Sequence, residues 1–205
     1  MNIQPFKETR RITINPGEYY VSNTQEVIST LLGSCVAVCL YDPVNKIIGM
    51  NHFLLAYKQH NYSTPVIESE EGRYGLNAME LLINEMMAKG ARRLNLKAKC
   101  FGGGDVLRLR DESGGRKSVG GVNIDFIREF LKNENIPMVS SALGGDFGRN
   151  IHFVGSDFSV YMKMIGDAQK VKLGRDERKY WKKSIEVHKS EAAMAVSENS
   201  RVEFW

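Results

Sequence analysis

The chain has 205 residues, 42% of them hydrophobic and 25% charged, a composition that suits one folded domain with a buried core rather than a disordered chain. No stretch approaches the roughly 18 apolar residues of a membrane helix, and Met1–Arg11 lacks the apolar segment of a secretory signal, so a cytoplasmic protein without membrane insertion is expected. The net charge of +4 is uneven: residues 1–169 hold 19 Lys+Arg against 18 Asp+Glu, and residues 170–205 hold 9 against 6, which places the basic excess in a tail rather than in a nucleic-acid footprint.

Strand-like segments fill the first third. Glu18–Ser22, Val27–Leu32, Cys35–Tyr41 and Ile47–Leu55 are rich in β-branched, apolar and aromatic residues. Asn15-Pro16-Gly17 and Asp42-Pro43-Val44-Asn45 punctuate them as turns. Gln59–Gly72 is polar, contains Pro65 and reads as a surface loop.

Tyr74–Lys89 is the clearest helix, with Leu76, Met79, Leu82, Ile83, Met86 and Met87 at helical spacing and Gly90 as a stop. A strand over Leu94–Phe101 ends in Gly102-Gly103-Gly104, and a charged excursion over residues 105–121 follows. A second helix spans Asn123–Asn133. Met138–Ala142, Ile151–Val154 and Phe158–Met164 read as closing strands. Strands first and helices later, without regular alternation, predict an α+β fold: a layered sandwich of a mainly antiparallel sheet and two principal helices. Residues 1–173 form the expected domain. Residues 174–205 form a basic tail, helical or disordered, that is expected to pack weakly.

The three cysteines are Cys35, Cys39 and Cys100. An odd, small number without a CxxC pair favours neither a disulfide framework nor a structural zinc site. The four histidines are scattered and do not suggest a metal cluster. The triple glycine lacks the Lys-Ser/Thr of a phosphate loop and reads as a tight turn.

The hairpin around Asp42–Asn45 carries chemical interest. If those four residues form the loop, Tyr41 pairs with Lys46 and Cys35 lies opposite His52, so thiol and imidazole share one sheet face. Val36, Val38 and Leu40 then take the other face, read as the core face. Gly33-Ser34 before the cysteine allow a sharp bend whose N–H groups can face a developing oxyanion. A cysteine on an apolar strand is otherwise a core residue, so the dyad reading depends on the loop length.

These residues resemble the CheD family of chemoreceptor glutamine deamidases. The likeness is carried by Leu32-Gly33-Ser34-Cys35-Val36-Ala37-Val38, Asp42-Pro43 and Gly49-Met50-Asn51-His52. It continues through Arg73-Tyr74-Gly75, Gly90-Ala91, Phe101-Gly102-Gly103, Gly120 with Asn123, Leu143-Gly144-Gly145 and Gly148-Arg149. The resemblance implies a cysteine-dependent hydrolase that converts glutamines on chemoreceptor cytoplasmic helices to glutamate, without a cofactor or metal. It assigns Cys35 as nucleophile and His52 as base, with the backbone at Gly33 and Ser34 as oxyanion donors. The family also uses a threonine hydroxyl six positions before the cysteine. That position is Ser29 here, which the resemblance makes the orienter of His52, with Thr30 beside it as the alternative. The partners implied are a chemoreceptor and a CheC-type phosphatase. Another cysteine hydrolase, or a non-catalytic partner of such a phosphatase, would present the same residues.

Overall fold

The alternation of side chains along each strand decides how the layers assemble. In the computed structural model, residues 1–55, 66–106, 118–166 and 173–180 are described. The strands are β1 (Asn2–Phe6), β2 (Thr9–Thr13), β3 (Tyr19–Ser22), β4 (Val27–Leu32) and β5 (Val36–Asp42), then β6 (Ile47–Phe53), β7 (Lys97–Gly102), β8 (Met138–Leu143), β9 (Arg149–Val154) and β10 (Val160–Met164). The helices are α1 (Glu70–Ala88), α2 (Val119–Asn133) and a segment over residues 173–180, here α3.

The strands form two five-stranded sheets, ordered β1-β2-β4-β9-β10 and β3-β6-β5-β7-β8. Pairing is antiparallel except for β2 with β4 and β7 with β8. The fold is thus α+β as expected, with two sheets where the sequence suggested one.

Helices α1 and α2 cover one face of the second sheet, and the first sheet covers the other. Val36, Val38, Leu40 and Phe53 point toward the helices and pack with Met79, Leu82, Phe126 and Phe130. Cys35, Ala37, Cys39, Ile48, Met50 and Leu54 point the opposite way and pack with Ile28, Leu32, Ile151 and Phe153 of the first sheet. Each fully buried large side chain contributes about 1.5–3 kcal/mol, and Phe53 and Phe126 add an edge-on ring contact at 5.6 Å. Strands β5 and β6 are therefore buried on both faces, which corrects the expectation that only the Val36 face is core.

Helix α1 begins at Ser69, whose side chain accepts from Gly72 N. Helix α2 begins at Ser118, whose hydroxyl accepts from Gly121 N at 3.2 Å. Both are N-caps that satisfy an otherwise unpaired amide. The β1–β2 hairpin was not foreseen. Its strands are polar and largely exposed and carry Pro5, features of an edge strand that leave little hydrophobic pattern to read.

Candidate active site

The β5–β6 hairpin brings Cys35 and His52 to the same end of the inter-sheet layer, in a register two residues from the expected one. Asp42 pairs with Ile47, so the loop is Pro43–Lys46, and Ala37 rather than Cys35 stands opposite His52. The shift has a local cause. The Asp42 carboxylate accepts from Val44 N at 2.9 Å and Asn45 N at 3.0 Å, which makes Asp42 the first residue of the turn. Lys46 closes the loop at φ 54°. Because the offset is even, both side chains keep the same face. Cys35, one residue before the Val36–Phe53 pair, becomes a diagonal neighbour of His52.

His52 is buried, and its orienting partner is Thr30. The Thr30 hydroxyl lies 2.8 Å from His52 Nδ1 and donates to Ile14 O at 2.8 Å. A hydroxyl has one proton. With that proton on Ile14 O, the Thr30 oxygen accepts from Nδ1–H, so the lone pair of the neutral ring sits on Nε2. That atom is buried and makes no hydrogen bond among the described residues. Burial lowers the ring's pKa to about 3, against a slight opposing pull from the Glu18 charge, so His52 is neutral at physiological pH.

Ser29 does not contact His52, which corrects the assignment by sequence position. Strand β4 alternates: Ile28 and Leu32 belong to the inter-sheet core, and Thr30 shares their face. Ser29 points away and lies 2.7 Å from Nδ1 of His152, its cross-strand partner on β9.

The turn before Cys35 is held from three sides. Gly103 N donates to Cys35 O and Gly104 N to Gly33 O, both at 2.7 Å. Asn123 of α2 donates from Nδ2 to Ser34 O at 2.9 Å, and its Oδ1 accepts from Leu55 N at 2.8 Å. Gly102 has φ 110°, and a Cβ there would lie 2.1 Å from Cys35 O. The triple glycine is thus a tight turn wrapped around the Cys35 segment.

The amides of this turn converge on one carboxyl group. Gly33 N and Ser34 N donate to Glu177 at 2.9 and 3.0 Å, Ser34 Oγ at 2.8 Å, and Cys35 N more weakly at 3.4 Å. Successive N–H groups aimed at one acceptor make an anion-binding nest. Glu177 belongs to α3 and is 2% exposed, so residues 173–180 are not the weakly packed start of a tail. Cys35 is itself fully buried. Burial first, then the Glu177 charge and its hydrogen bond with the thiol, push the cysteine's pKa well up. The resting pair is therefore a neutral thiol beside a neutral imidazole. Cys39 and Cys100 are also buried and free, and no His/Cys/Asp/Glu group among the described residues could hold a metal ion.

Sequence reasoning placed Cys35, His52, Gly33 and Ser34 together, as the structure does. It offered Thr30 only as the alternative to Ser29, although the alternation with Ile28 and Leu32 was there to favour it. It gave Asn123 no role, and it missed Glu177, which no spacing in the sequence links to Cys35. The loops Gln59–Gly72 and Asp105–Gly120, which the sequence offers as candidates to grip a substrate helix, include residues 59–65 and 107–117, which lie outside the described residues. Among the described residues no helix is long and apolar enough to cross a membrane.

The chain was compared with known proteins. A family model described as CheD chemotactic sensory transduction matches residues 57–164, a stretch that begins after His52. A protein of Geobacter sulfurreducens named probable chemoreceptor glutamine deamidase CheD 1 is 48% identical over 86% of this chain and 88% of its own. Two Shewanella oneidensis proteins carry the same description. The one numbered CheD 2 is 44% identical over 96% of this chain and 98% of its own, and the one numbered CheD 1 is 46% identical over 77% and 74%. With a family model over more than half its length and such relatives along most of it, the chain belongs to the CheD family.

Proposed function

We propose that this protein is a chemoreceptor glutamine deamidase in which Cys35 is the nucleophile and His52 the general base. The observation that carries the reading is a thiol and an imidazole with a free Nε2 lone pair on one face of adjacent strands, with a nest of backbone amides at the thiol. The names of its relatives agree with it.

The chemistry follows from those three parts. His52 Nε2 takes the thiol proton as the Cys35 sulfur attacks the side-chain amide carbon of a glutamine. The amides of Gly33, Ser34 and Cys35 stabilise the tetrahedral oxyanion, a contribution worth about 2.7–4 kcal/mol for a single donor in well-studied hydrolases. The protonated ring returns its proton to the departing nitrogen, the C–N bond breaks, and ammonia leaves a thioester on Cys35. Water, deprotonated by the same Nε2, cleaves the C–S bond to release glutamate and restore the thiol. Thr30 keeps the proton on Nδ1 throughout, the orienting role of a triad's third member.

Incubation with the cytoplasmic fragments of the same organism's chemoreceptors, followed by peptide mass spectrometry, tests this reading. Glutamine-to-glutamate conversion is expected with the native protein and not with Cys35→Ala. Equal conversion by both proteins, or none by either, overturns it. Binding of a CheC-type phosphatase that survives Cys35→Ala, with no ammonia released from any receptor, is the outcome that favours the regulatory alternative.

A further inference from the structure

Helix α3 lies on the molecule in a way that ordinary surface packing does not explain. Leu173, Glu177 and Tyr180 stand at i, i+4 and i+7, on one face of a helix. Each meets a glycine of the body. A Cβ on Gly148 would lie 2.7 Å from Leu173 Cδ2, one on Gly33 2.7 Å from both Glu177 oxygens, and one on Gly17 2.3 Å from the Tyr180 hydroxyl oxygen. Those glycines come from three separate turns, before β9, before β5 and between β2 and β3. Together they form a seat shaped for a helix, with the nucleophile under its middle position. The Tyr180 hydroxyl also lies 2.9 Å from that of Tyr74 on α1.

The middle position holds a carboxylate on the amides that would stabilise the oxyanion. A glutamate on a helix, with its carboxyl group against the catalytic cysteine, is chemically the product of deamidating a helical glutamine. We propose that the glycine seat is the substrate-helix groove and that α3 occupies it as a built-in product mimic, which a receptor helix must displace. This inference rests on the deamidase reading and deepens it. It assigns Gly17, Gly33 and Gly148 to substrate binding. It also gives the substrate a pattern: an apolar residue four positions before the target glutamine and an aromatic one three after. The mimic also keeps the enzyme quiet, because its carboxylate fills the oxyanion nest and its charge opposes formation of a thiolate.

Replacing Glu177 by glutamine gives the sharpest test. In full-length Glu177→Gln protein the amide at position 177 sits where a substrate amide would. Cys35 attacks its carbonyl carbon, ammonia leaves, and water hydrolyses the thioester, regenerating the glutamate. Peptide mass spectrometry over position 177 is expected to show this conversion in Glu177→Gln and not in Glu177→Gln combined with Cys35→Ala. Glu177→Ala, which keeps the helix but empties the nest, is expected to raise kcat/KM on receptor fragments about tenfold. It should also speed alkylation of Cys35 by iodoacetamide about as much, with buried Cys39 and Cys100 as internal references. A Glu177→Gln protein that deamidates receptor but leaves its own amide at 177 intact overturns the mimic and spares the deamidase reading. Absence of both conversions overturns the deamidase reading and the inference with it. Unchanged Cys35 alkylation in Glu177→Ala overturns occupancy of the nest whatever the enzyme's substrate.

Discussion

The Thr30 hydroxyl accepts the Nδ1 proton of His52 at 2.8 Å while giving its own proton to Ile14 O at the same distance. The imidazole thereby presents a bare Nε2 without the help of a carboxylate. Removing the hydroxyl at constant shape separates this role from packing. Thr30→Val leaves Ile14 O and His52 Nδ1–H unsatisfied in a buried place, at a stability cost of about 1–3 kcal/mol for each. Its kcat for deamidation should fall by about 10²-fold, with KM little changed. Ser29→Ala should keep native kcat, since Ser29 bonds His152 on the far face of β4. Steady-state kinetics on a receptor fragment check both. Native kcat in Thr30→Val, or an equal loss in Ser29→Ala, would reverse the assignment.

How far these positions were legible depends on whether local pattern determined them. The shared face of Cys35 and His52 was, because the even periodicity of β5 and β6 keeps it even when the turn is misplaced by one residue on each strand. Thr30 was recoverable from alternation with Ile28 and Leu32, but matching by position in the sequence pointed to Ser29. The second sheet was hidden because β5 and β6 are buried on both faces, and continuous burial erases the alternation that marks a solvated side. The polar β1–β2 edge had no pattern to lose. Glu177 lay 142 residues from Cys35 in the chain, in a basic stretch whose composition resembles a solvated tail, and only the tertiary contact gives it meaning.

Asn123 ties α2 to the turn before Cys35, and its loss should register in stability as well as turnover. Asn123→Ala leaves Ser34 O and Leu55 N without their side-chain partner, two buried groups together worth about 2–4 kcal/mol. The urea midpoint should drop accordingly, and kcat should fall because the oxyanion amides lose their support. Asn123→Asp should not rescue it. Its carboxylate can still accept from Leu55 N but no longer donates to Ser34 O. A midpoint within error of native for Asn123→Ala would show that α2 does not hold the turn.

Two glycines with similar backbone angles separate strain from collision. Gly90 has φ 100°, and the nearest atom to an added Cβ is Ile47 Cδ1 at 3.9 Å. Gly102 has φ 110°, with Cys35 O only 2.1 Å from an added Cβ. Gly90→Ala should incur only the conformational cost, about 1–3 kcal/mol. Gly102→Ala adds a clash with the Cys35 backbone, so it should be less stable than Gly90→Ala and inactive. Thermal unfolding of the two variants beside the native protein makes the comparison. Equal stability would mean that the Cys35 carbonyl can move away at little cost.

The acid limb of stability should be set first by His52. Its folded pKa is about 3 because burial disfavours the imidazolium, whereas in the unfolded chain it is about 6.5. Below about pH 6.5 the unfolded state takes up a proton that the folded state refuses, so stability falls as pH falls and stops falling near 3. At about pH 5 the loss relative to neutrality is about 2 kcal/mol. His152, lowered by burial and by the Arg11 charge, acts in the same direction. Asp42 enters later. Burial opposes its ionisation, but the hydrogen bonds from Asn45, Arg92 and Asn95 outweigh it and hold the pKa at about 2. Its contribution is therefore intact above the ordinary carboxylate range and is lost only between about 3.8 and 2. Urea midpoints at about pH 7 and pH 5 should show the His52 loss in the native protein, and His52→Gln should retain only the part due to His152. A native midpoint that does not move, or a His52→Gln midpoint that moves as far, would mean that the ring is not held neutral by its burial.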